Sequence, residues 1–268
     1  GGHLAGALPR GGMNAWNMIA QPRKAYVLLG VEPEFDCHDA ARAMAAMKQA
    51  EFVVALSPFQ HQGLDYAHAL LPVGPFTETA GTFVSTEGRV QSFGGVVLPL
   101  AETRPAWKVL RVLGNLLGVA GFGYDSIEAV RSAALGGADI AARRDDCLRA
   151  VTVVTLATAT GIERIGEVPI YQADAIVRRA PSLQATRDAG EPVAGMNSEL
   201  FSRLGLRDGD RVRVTQGGGS ALLGALRDDA LPENCVRVPA AHPLTAGLGD
   251  LFGAVTVERV AMQQRVAV

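Results

Sequence analysis

Cysteine is scarce and scattered in this chain. Cys37, Cys147 and Cys235 are the only three in 268 residues, and no two stand at Cys-x-x-Cys spacing. Distant thiols in odd number argue against a disulfide framework and for a cytosolic setting. Long apolar runs are also missing. None approaches the ~20 residues that a bilayer-spanning helix needs. Charge of one sign is missing as well, since 25 Lys and Arg face 27 Asp and Glu for a net −2. That balance gives no electrostatic case for nucleic acid or an anionic membrane surface. The start, Gly1-Gly2-His3-Leu4, lacks a basic segment followed by an apolar core, so it is no signal peptide. It lacks an initiator Met too, and the expectation is a fragment of a longer protein. Apolar residues are plentiful. At 48% hydrophobic, the chain can bury a sizeable core in one large domain or two ordinary ones.

Residues 1–20 are rich in Gly, Ala and Asn and read as an excised loop or partial helix. Lys24 to Gly30 is an apolar run ending in Gly, which suits a buried parallel strand. A turn is expected at Val31-Glu32-Pro33-Glu34. A helix follows over His38 to Ala50, with Ala40, Met44 and Met47 on one face, and then a second strand over Glu51 to Leu56. A right-handed parallel crossover is the default for such a unit. A further helix over His61 to Ala69 would deliver the chain to a third short strand at Leu70 to Val73.

The most informative stretch runs from Leu70 to Lys108. Thr82, Phe83 and Val84 have strand character, Thr86-Glu87-Gly88-Arg89 supplies a turn, and Val90 to Phe93 returns. Pro105 sits where a first-turn proline belongs, ahead of Trp107, Leu110, Leu113 and Leu117 near helical spacing, with Gly118 to end the helix. Asp125 with Glu128 resembles a capping box, and Gly136-Gly137 stops that helix. Arg143 to Asp146 reads as a solvated charged patch.

Val151 to Thr160 reads as strand or linker, with a domain boundary between about 150 and 165. Beyond it, Asn197 to Phe201 opens a short helix stopped at Gly205. Arg211 to Thr215 alternates polar and Val, Gly217 to Gly219 forms a hairpin tip, and Ser220 to Leu226 returns. Val236 to Val238 and Ala254 to Val257 add short strands, so the tail reads as a small β-barrel.

At Thr86 to Gln91 these readings become specific. The chain resembles the C-terminal half of the large iron–sulfur subunit of NADH-quinone oxidoreductase (respiratory complex I), the G subunit in bacteria, within the molybdopterin oxidoreductase superfamily. The resemblance covers nearly the whole chain. It includes Gly12 to Ala15, Tyr26 to Glu34, Pro75 to Glu78, Gly81 to Val84 and Thr86 to Phe93. Arg104-Pro105-Ala106-Trp107-Lys108-Val109-Leu110-Arg111-Val112-Leu113-Gly114 is the most diagnostic string, and Pro192 to Leu200 with Leu204 to Val212 completes it.

The resemblance implies an α/β fold. A Rossmann-like parallel-sheet βα domain with a hairpin insertion (21–150, after a partial segment 1–20) would precede a β-rich, double-psi barrel-like domain (166–268). It also implies iron–sulfur clusters in the missing N-terminal half and no cofactor in this part. A cluster needs about four ligands, nearly all Cys, and three isolated cysteines cannot supply them. Relatives that bind a molybdopterin dinucleotide tend to have Asn-Pro where Glu32-Pro33 stands. Glu32, as an anion, would repel a pyrophosphate. Ser85 stands where many relatives have Asn, and His68 where Asp is usual.

Other residues divide between a chemical and a structural role. Glu87 and Arg89 read as a clamp on a ligand or neighbouring subunit, or as turn residues bonding each other or nearby backbone. The second is preferred. Glu78 between Thr77 and Thr79 has no partner base and reads as a loop hydrogen-bond acceptor. His61 and His68, seven apart, lack the four-residue spacing of a helical metal pair and read as surface or packing residues. His38, His242 and His3 carry no motif. Gly217-Gly218-Gly219-Ser220 lacks the Lys of a phosphate loop, and Gly118, Gly121 and Gly123 follow no strand.

The reading is therefore a non-catalytic scaffold with no catalytic, cofactor-binding or metal-binding residue assigned. Its expected partners are the N-terminal half of the same subunit and other subunits of the peripheral arm, on the cytoplasmic side of the inner membrane. The alternatives are part of a catalytic molybdenum or tungsten oxidoreductase, and a free-standing small-molecule binding protein.

Overall fold

A computed structural model describes residues 2, 5–7, 11–60, 65–136 and 160–260. His3, His61, Cys147, Arg143 to Asp146 and the linker residues 151–159 lie outside the described residues. By its contacts the chain divides into two compact units, Gly1–Gly30 with Ala50–Val154, and Val31–Gln49 with Thr155–Val268.

In the first unit, Asn14 caps α1 (Ala15–Ala20) by accepting from the Asn17 amide at 2.8 Å. Three strands, β1 (Ala25–Leu29), β2 (Phe52–Ser57) and β3 (Ala69–Pro72), form a parallel sheet in the order β1-β2-β3. Central β2 buries Val53, Ala55 and Leu56. The run at Lys24 to Gly30 is thus a parallel strand, but an edge one, and only Tyr26 is buried along it. The helix expected over His61 to Ala69 is absent from Asp65 onward. Asp65 and Tyr66 make one 3-10 turn and Ala69 already opens β3.

The hairpin forms where it is expected. β4 (Gly81–Val84) pairs antiparallel with β5 (Val90–Phe93), from Gly81 opposite Phe93 to Val84 opposite Val90. A Cβ on Gly81 would press into the Phe93 ring at 2.6 Å, so the ring would have to shift to admit a side chain there. Phe93 stacks on Phe83 at 4.8 Å between centroids. Gly88 closes the turn with φ +80, donating to the Ser85 carbonyl at 2.9 Å.

α4 (Ala106–Leu116) begins one residue later than the proline pattern predicts, because Pro105 is extended (ψ 135) and caps rather than opens the helix. It ends as expected at Gly118, φ +67. α5 (Ile127–Leu135) is capped by Ser126, which accepts from Ala129 N at 3.1 Å, and not by Asp125. Asp125 instead faces Arg111 at 3.3 Å.

The second unit holds α2 (Pro33–Asp36) and α3 (Ala40–Gln49). α2 replaces the expected turn. α3 buries Ala43, Ala46 and Met47, one helical stripe. The remainder is a closed six-stranded barrel of β6 (Ile162–Ile165), β7 (Val193–Met196), β8 (Arg211–Gln216), β9 (Gly219–Arg227), β10 (Cys235–Arg237) and β11 (Phe252–Val260), in the order β10-β6-β11-β8-β9-β7. Short α6 (Pro181–Gln184) and α7 (Ser198–Arg203) lie between strands, α7 capped by Asn197. The β10–β6 and β7–β9 pairs are parallel and the others antiparallel.

Alternation decides the barrel interior. Val212 and Val214 on β8, Ala221 and Leu223 on β9, and Val255 and Val257 on β11 all point inward, because side chains on a strand alternate faces. Phe201 and Leu200 of α7 join them. Each large side chain buried this way contributes about 1.5–3 kcal/mol.

Closure also depends on one close approach. A Cβ added to Gly219 would overlap the Gly247 carbonyl oxygen, so the loop before β11 rests on the β8–β9 hairpin with no side chain between. Gly219→Ala is therefore expected to destabilise the chain by about 1–3 kcal/mol, the usual cost of overpacking. Urea unfolding checks this, and unchanged stability would show that the loop does not depend on the contact.

Candidate functional site

The loop flagged by Glu32 is the most heavily bonded polar cluster of the second unit. Pro33 opens α2, and the Glu32 amide donates to Asp36 Oδ2 at 2.7 Å, which folds Glu32 back over the helix. This turn places two carboxylates side by side. The Glu32 side chain is only 4% exposed, and burying a carboxylate unpaired costs several kcal/mol.

Two adjacent arginines answer it. Arg178 reaches Glu32 Oε2 through Nε at 3.1 Å and Nη2 at 3.0 Å, and Asp36 Oδ1 through Nη2 at 2.9 Å. Arg179 Nη2 lies 2.6 Å from Glu32 Oε1. Arg178 also donates to the Gln172 carbonyl at 2.8 Å and lies over the Phe35 ring, 5.2 Å from its centroid. The segment carrying the arginines is itself fixed. Asp174 Oδ1 accepts from the Ile176 and Val177 amides just ahead of the 3-10 turn Val177–Arg179. Gln184 Nε2 donates to the Tyr171 and Val177 carbonyls. Two guanidiniums thus answer two carboxylates, with a third, Glu34, buried on the same short helix.

Glu32, expected to repel a pyrophosphate as an anion, is ion-paired by two arginines. Its charge is matched within the protein. The same geometry does not fit a pyrophosphate at this loop. Such a group needs N–H donors turned toward it, whereas Arg178 and Arg179 turn theirs onto Glu32, Asp36 and backbone carbonyls.

A second buried cation lies in the barrel. Arg164, 2% exposed, donates to the Val238, Gly249 and Asp250 carbonyls and to Gln216 Oε1 at 3.0 Å. No carboxylate pairs with it among the described residues, and burial pulls its guanidinium below its usual pKa. Gln216 relays the contact by donating to the Phe252 carbonyl at 3.2 Å. Arg164 thus holds both ends of the 239–251 loop. Within that loop Ala241 has φ +56, and His242 Nδ1 accepts from Leu244 N at 3.1 Å.

The residues singled out in the sequence are dispersed. Glu87 and Arg89 pair with each other at 3.6 Å, both largely exposed, at the hairpin tip. Glu78 Oε2 accepts from Leu100 N at 3.1 Å and anchors the following loop, as its structural reading predicts. His68 bonds Val53 twice, N–H to carbonyl at 2.9 Å and Nδ1 from the amide at 3.0 Å, continuing the β2–β3 pairing by one residue. His38 lies 3.5 Å from Asp250. Cys37 and Cys235 are separate, and burial with nearby Asp36 and Glu34 pushes the Cys37 thiol up to about 11. Among the described residues no group of three or more His, Cys, Asp or Glu is placed to hold a metal ion. Arg164, Arg178, Arg179 and Asp36 are the polar residues that sequence reasoning misses. Glu32 itself is the available signal, since a carboxylate amid apolar neighbours calls for a cation, but nothing in the sequence says which one.

Removing one partner of this cluster is expected to be costly. Glu32→Gln or Arg178→Met should each lower stability by about 3–5 kcal/mol. The Glu32→Gln, Arg178→Met double variant should lose less than the sum. A double-mutant cycle in urea checks the coupling, and additive losses would show that the pair is not energetically joined.

His242 gives a pH dependence. Burial lowers its pKa below the ordinary 6.5, outweighing the opposite pull of Glu191. With the folded value below the unfolded one, its contribution is present above about pH 6.5 and is lost as the pH falls. Its Nδ1 must also stay unprotonated to accept from Leu244. Thermal melts at pH 7.5 and 5.5 should show a smaller acid loss in His242→Asn than in the parent chain, and identical acid losses would contradict this.

Residues 4–116 match the model of the molybdopterin oxidoreductase family, and residues 166–263 that of the molydopterin dinucleotide binding domain. The NADH-ubiquinone oxidoreductase 78 kDa subunit of Neurospora crassa mitochondria is 31% identical over 191 residues, covering 65% of this chain and 24% of that protein. The NADPH-Fe(3+) oxidoreductase subunit alpha of Geobacter sulfurreducens is 32% identical over 94 residues, 35% of this chain and 11% of that one. Among solved structures, acetylene hydratase from Pelobacter acetylenicus superposes with a TM-score of 0.61 at 16% identity, over 91% of this chain and 45% of its own, which is a likeness of fold. The matched stretches span a quarter or less of these two curated relatives. The parallel α/β sheet and the closed barrel follow the order of the two matched modules, so the chain carries a molybdopterin oxidoreductase domain followed by a molydopterin dinucleotide binding domain.

Proposed function

We propose that this chain is the C-terminal scaffold portion of the iron–sulfur G subunit of a bacterial NADH-quinone oxidoreductase. The observation that carries the reading is the buried Glu32–Arg178–Arg179–Asp36 cluster. It occupies the loop where, by the family resemblance, cofactor-binding relatives tend to have Asn-Pro, and its donors are spent inside the protein. The similarity to the 78 kDa NADH-ubiquinone oxidoreductase subunit over 65% of the chain supports the choice of complex. On this reading the barrel, with its two parallel pairs, is of the double-psi type. The iron–sulfur clusters belong to another part of the subunit. The fragment frames the peripheral arm against that part and adjoining subunits, on the cytoplasmic side of the inner membrane. The whole assembly carries electrons from NADH to quinone, coupled to proton translocation.

A second reading is part of a catalytic molybdenum or tungsten oxidoreductase. The match of residues 166–263 to a dinucleotide-binding domain favours it. Elemental analysis of the full-length protein separates the two. The scaffold reading expects iron without stoichiometric molybdenum or tungsten, and no pterin fluorescence after acid extraction. One equivalent of either metal together with released pterin would replace it with the second reading.

A further inference from the structure

α4 in the first unit is apolar on two sides, and among the described residues only one of them is covered. On the covered side Gly114 is buried so tightly that a Cβ would run into the Phe122 ring. Arg111 Nη1 also donates to the Tyr124 carbonyl at 2.9 Å on that flank. On the other side Val109, Val112, Leu113 and Leu116 recur at i, i+3, i+4 and i+7, and they line an open groove of about 450 Å³. Val112 is 50% exposed and Leu116 81%. A helix with apolar residues on both sides is ordinarily enclosed on both.

The charges along this groove have one sign. Arg104, Lys108 and Arg111 line it, and among the described residues no acidic residue does. Arg111 has Asp125 as a partner. Arg104 spends Nη1 on the Glu102 and Thr103 carbonyls and meets no carboxylate among the described residues, and Lys108 lies 5.5 Å over the Trp107 ring. The positive end of the α4 dipole adds to the same end of the groove. The bridge between Val73 and Arg104 and the bond from Gly74 N to the Arg104 carbonyl at 3.1 Å tie that end to the sheet. The cations therefore stand on a fixed frame.

We infer that this groove docks an acidic amphipathic helix of a partner polypeptide. Its carboxylates meet Arg104 and Lys108, and its apolar residues, repeating every three or four positions, meet Val109, Val112, Leu113 and Leu116. From Arg104 to Leu116 the face runs roughly 18 Å, about three turns of a bound helix. The arrangement is oriented, with acids at the Arg104 end and apolar anchors at the Leu116 end. This inference stands on the groove and not on the complex I reading.

The test uses the whole chain and a fluorescein-labelled synthetic helix of about 15 residues, with Leu at i, i+3, i+4 and i+7 and Glu on its flanks. A second peptide replaces every Glu with Lys. Anisotropy should report binding of the Glu peptide only, weakening as salt rises. Leu116→Glu and Lys108→Glu, both exposed and checked for folding by circular dichroism, should each weaken it about tenfold or more. Lack of binding up to about 1 mM, equal binding of the two peptides, or affinity untouched by both variants would overturn the inference. Displacement of the peptide by micromolar laurate would also overturn it, by making the groove an acyl-chain site.

Discussion

A carboxylate nearly excluded from water constrains everything around it in the second unit. Glu32 lies at the start of α2, and its partners Arg178 and Arg179 stand about 146 residues further along the chain. The pairing cannot form until the 31–49 segment and the barrel-flanking segment have met. Once formed, it penalises any arrangement that separates them, because each ion would be left buried and alone. The supporting bonds of Asp174, Gln172 and Gln184 follow from the same need. A guanidinium matches a carboxylate well only if the backbone that carries it is already held.

The barrel solves a related problem with different chemistry. Arg164 has carbonyl dipoles where Arg178 has carboxylates, and burial alone lowers its pKa. The exchange makes geometric sense. The carbonyls of Val238, Gly249 and Asp250 belong to the two ends of one long connection, so a single forked side chain can fix both ends. The missing side chain at Gly219 then lets the middle of that connection settle on the β8–β9 hairpin. Charge at the ends and absence of bulk in the middle act together on one loop.

Local signals make much of this fold legible in the sequence. β2, the β4–β5 hairpin, α7 and the β8–β9 hairpin are all marked by alternation, an N-cap or a turn glycine, which operate within a few residues. Sequence and structure part where a neighbour decides. Lys24 to Gly30 is apolar enough for a central strand, yet its place at the sheet edge depends on strand order, which composition does not encode. Ser126, and not Asp125, caps the helix, while Asp125 meets Arg111, fourteen residues away. β6 and β7 escape a reading of the sequence because Glu163 stands inside β6 and Gly195 inside β7, residue types depleted in strands. The Glu32 cluster is half legible. The acid is visible as an anomaly, but the cations that neutralise it are distant in sequence and unremarkable on their own.

That half-legibility bears on how function is read in this family. A fold does not carry an activity with it, and one loop can serve a ligand or the protein depending on where its donors point. Were Arg178 and Arg179 turned outward, the same two guanidiniums would make an anion site. Turned onto Glu32 and Asp36, they make a rigid joint. The difference lies in the carboxylates of Glu32 and Asp36, which give the cations partners that never leave. Substituting a permanent internal anion for a transient external one trades recognition for rigidity.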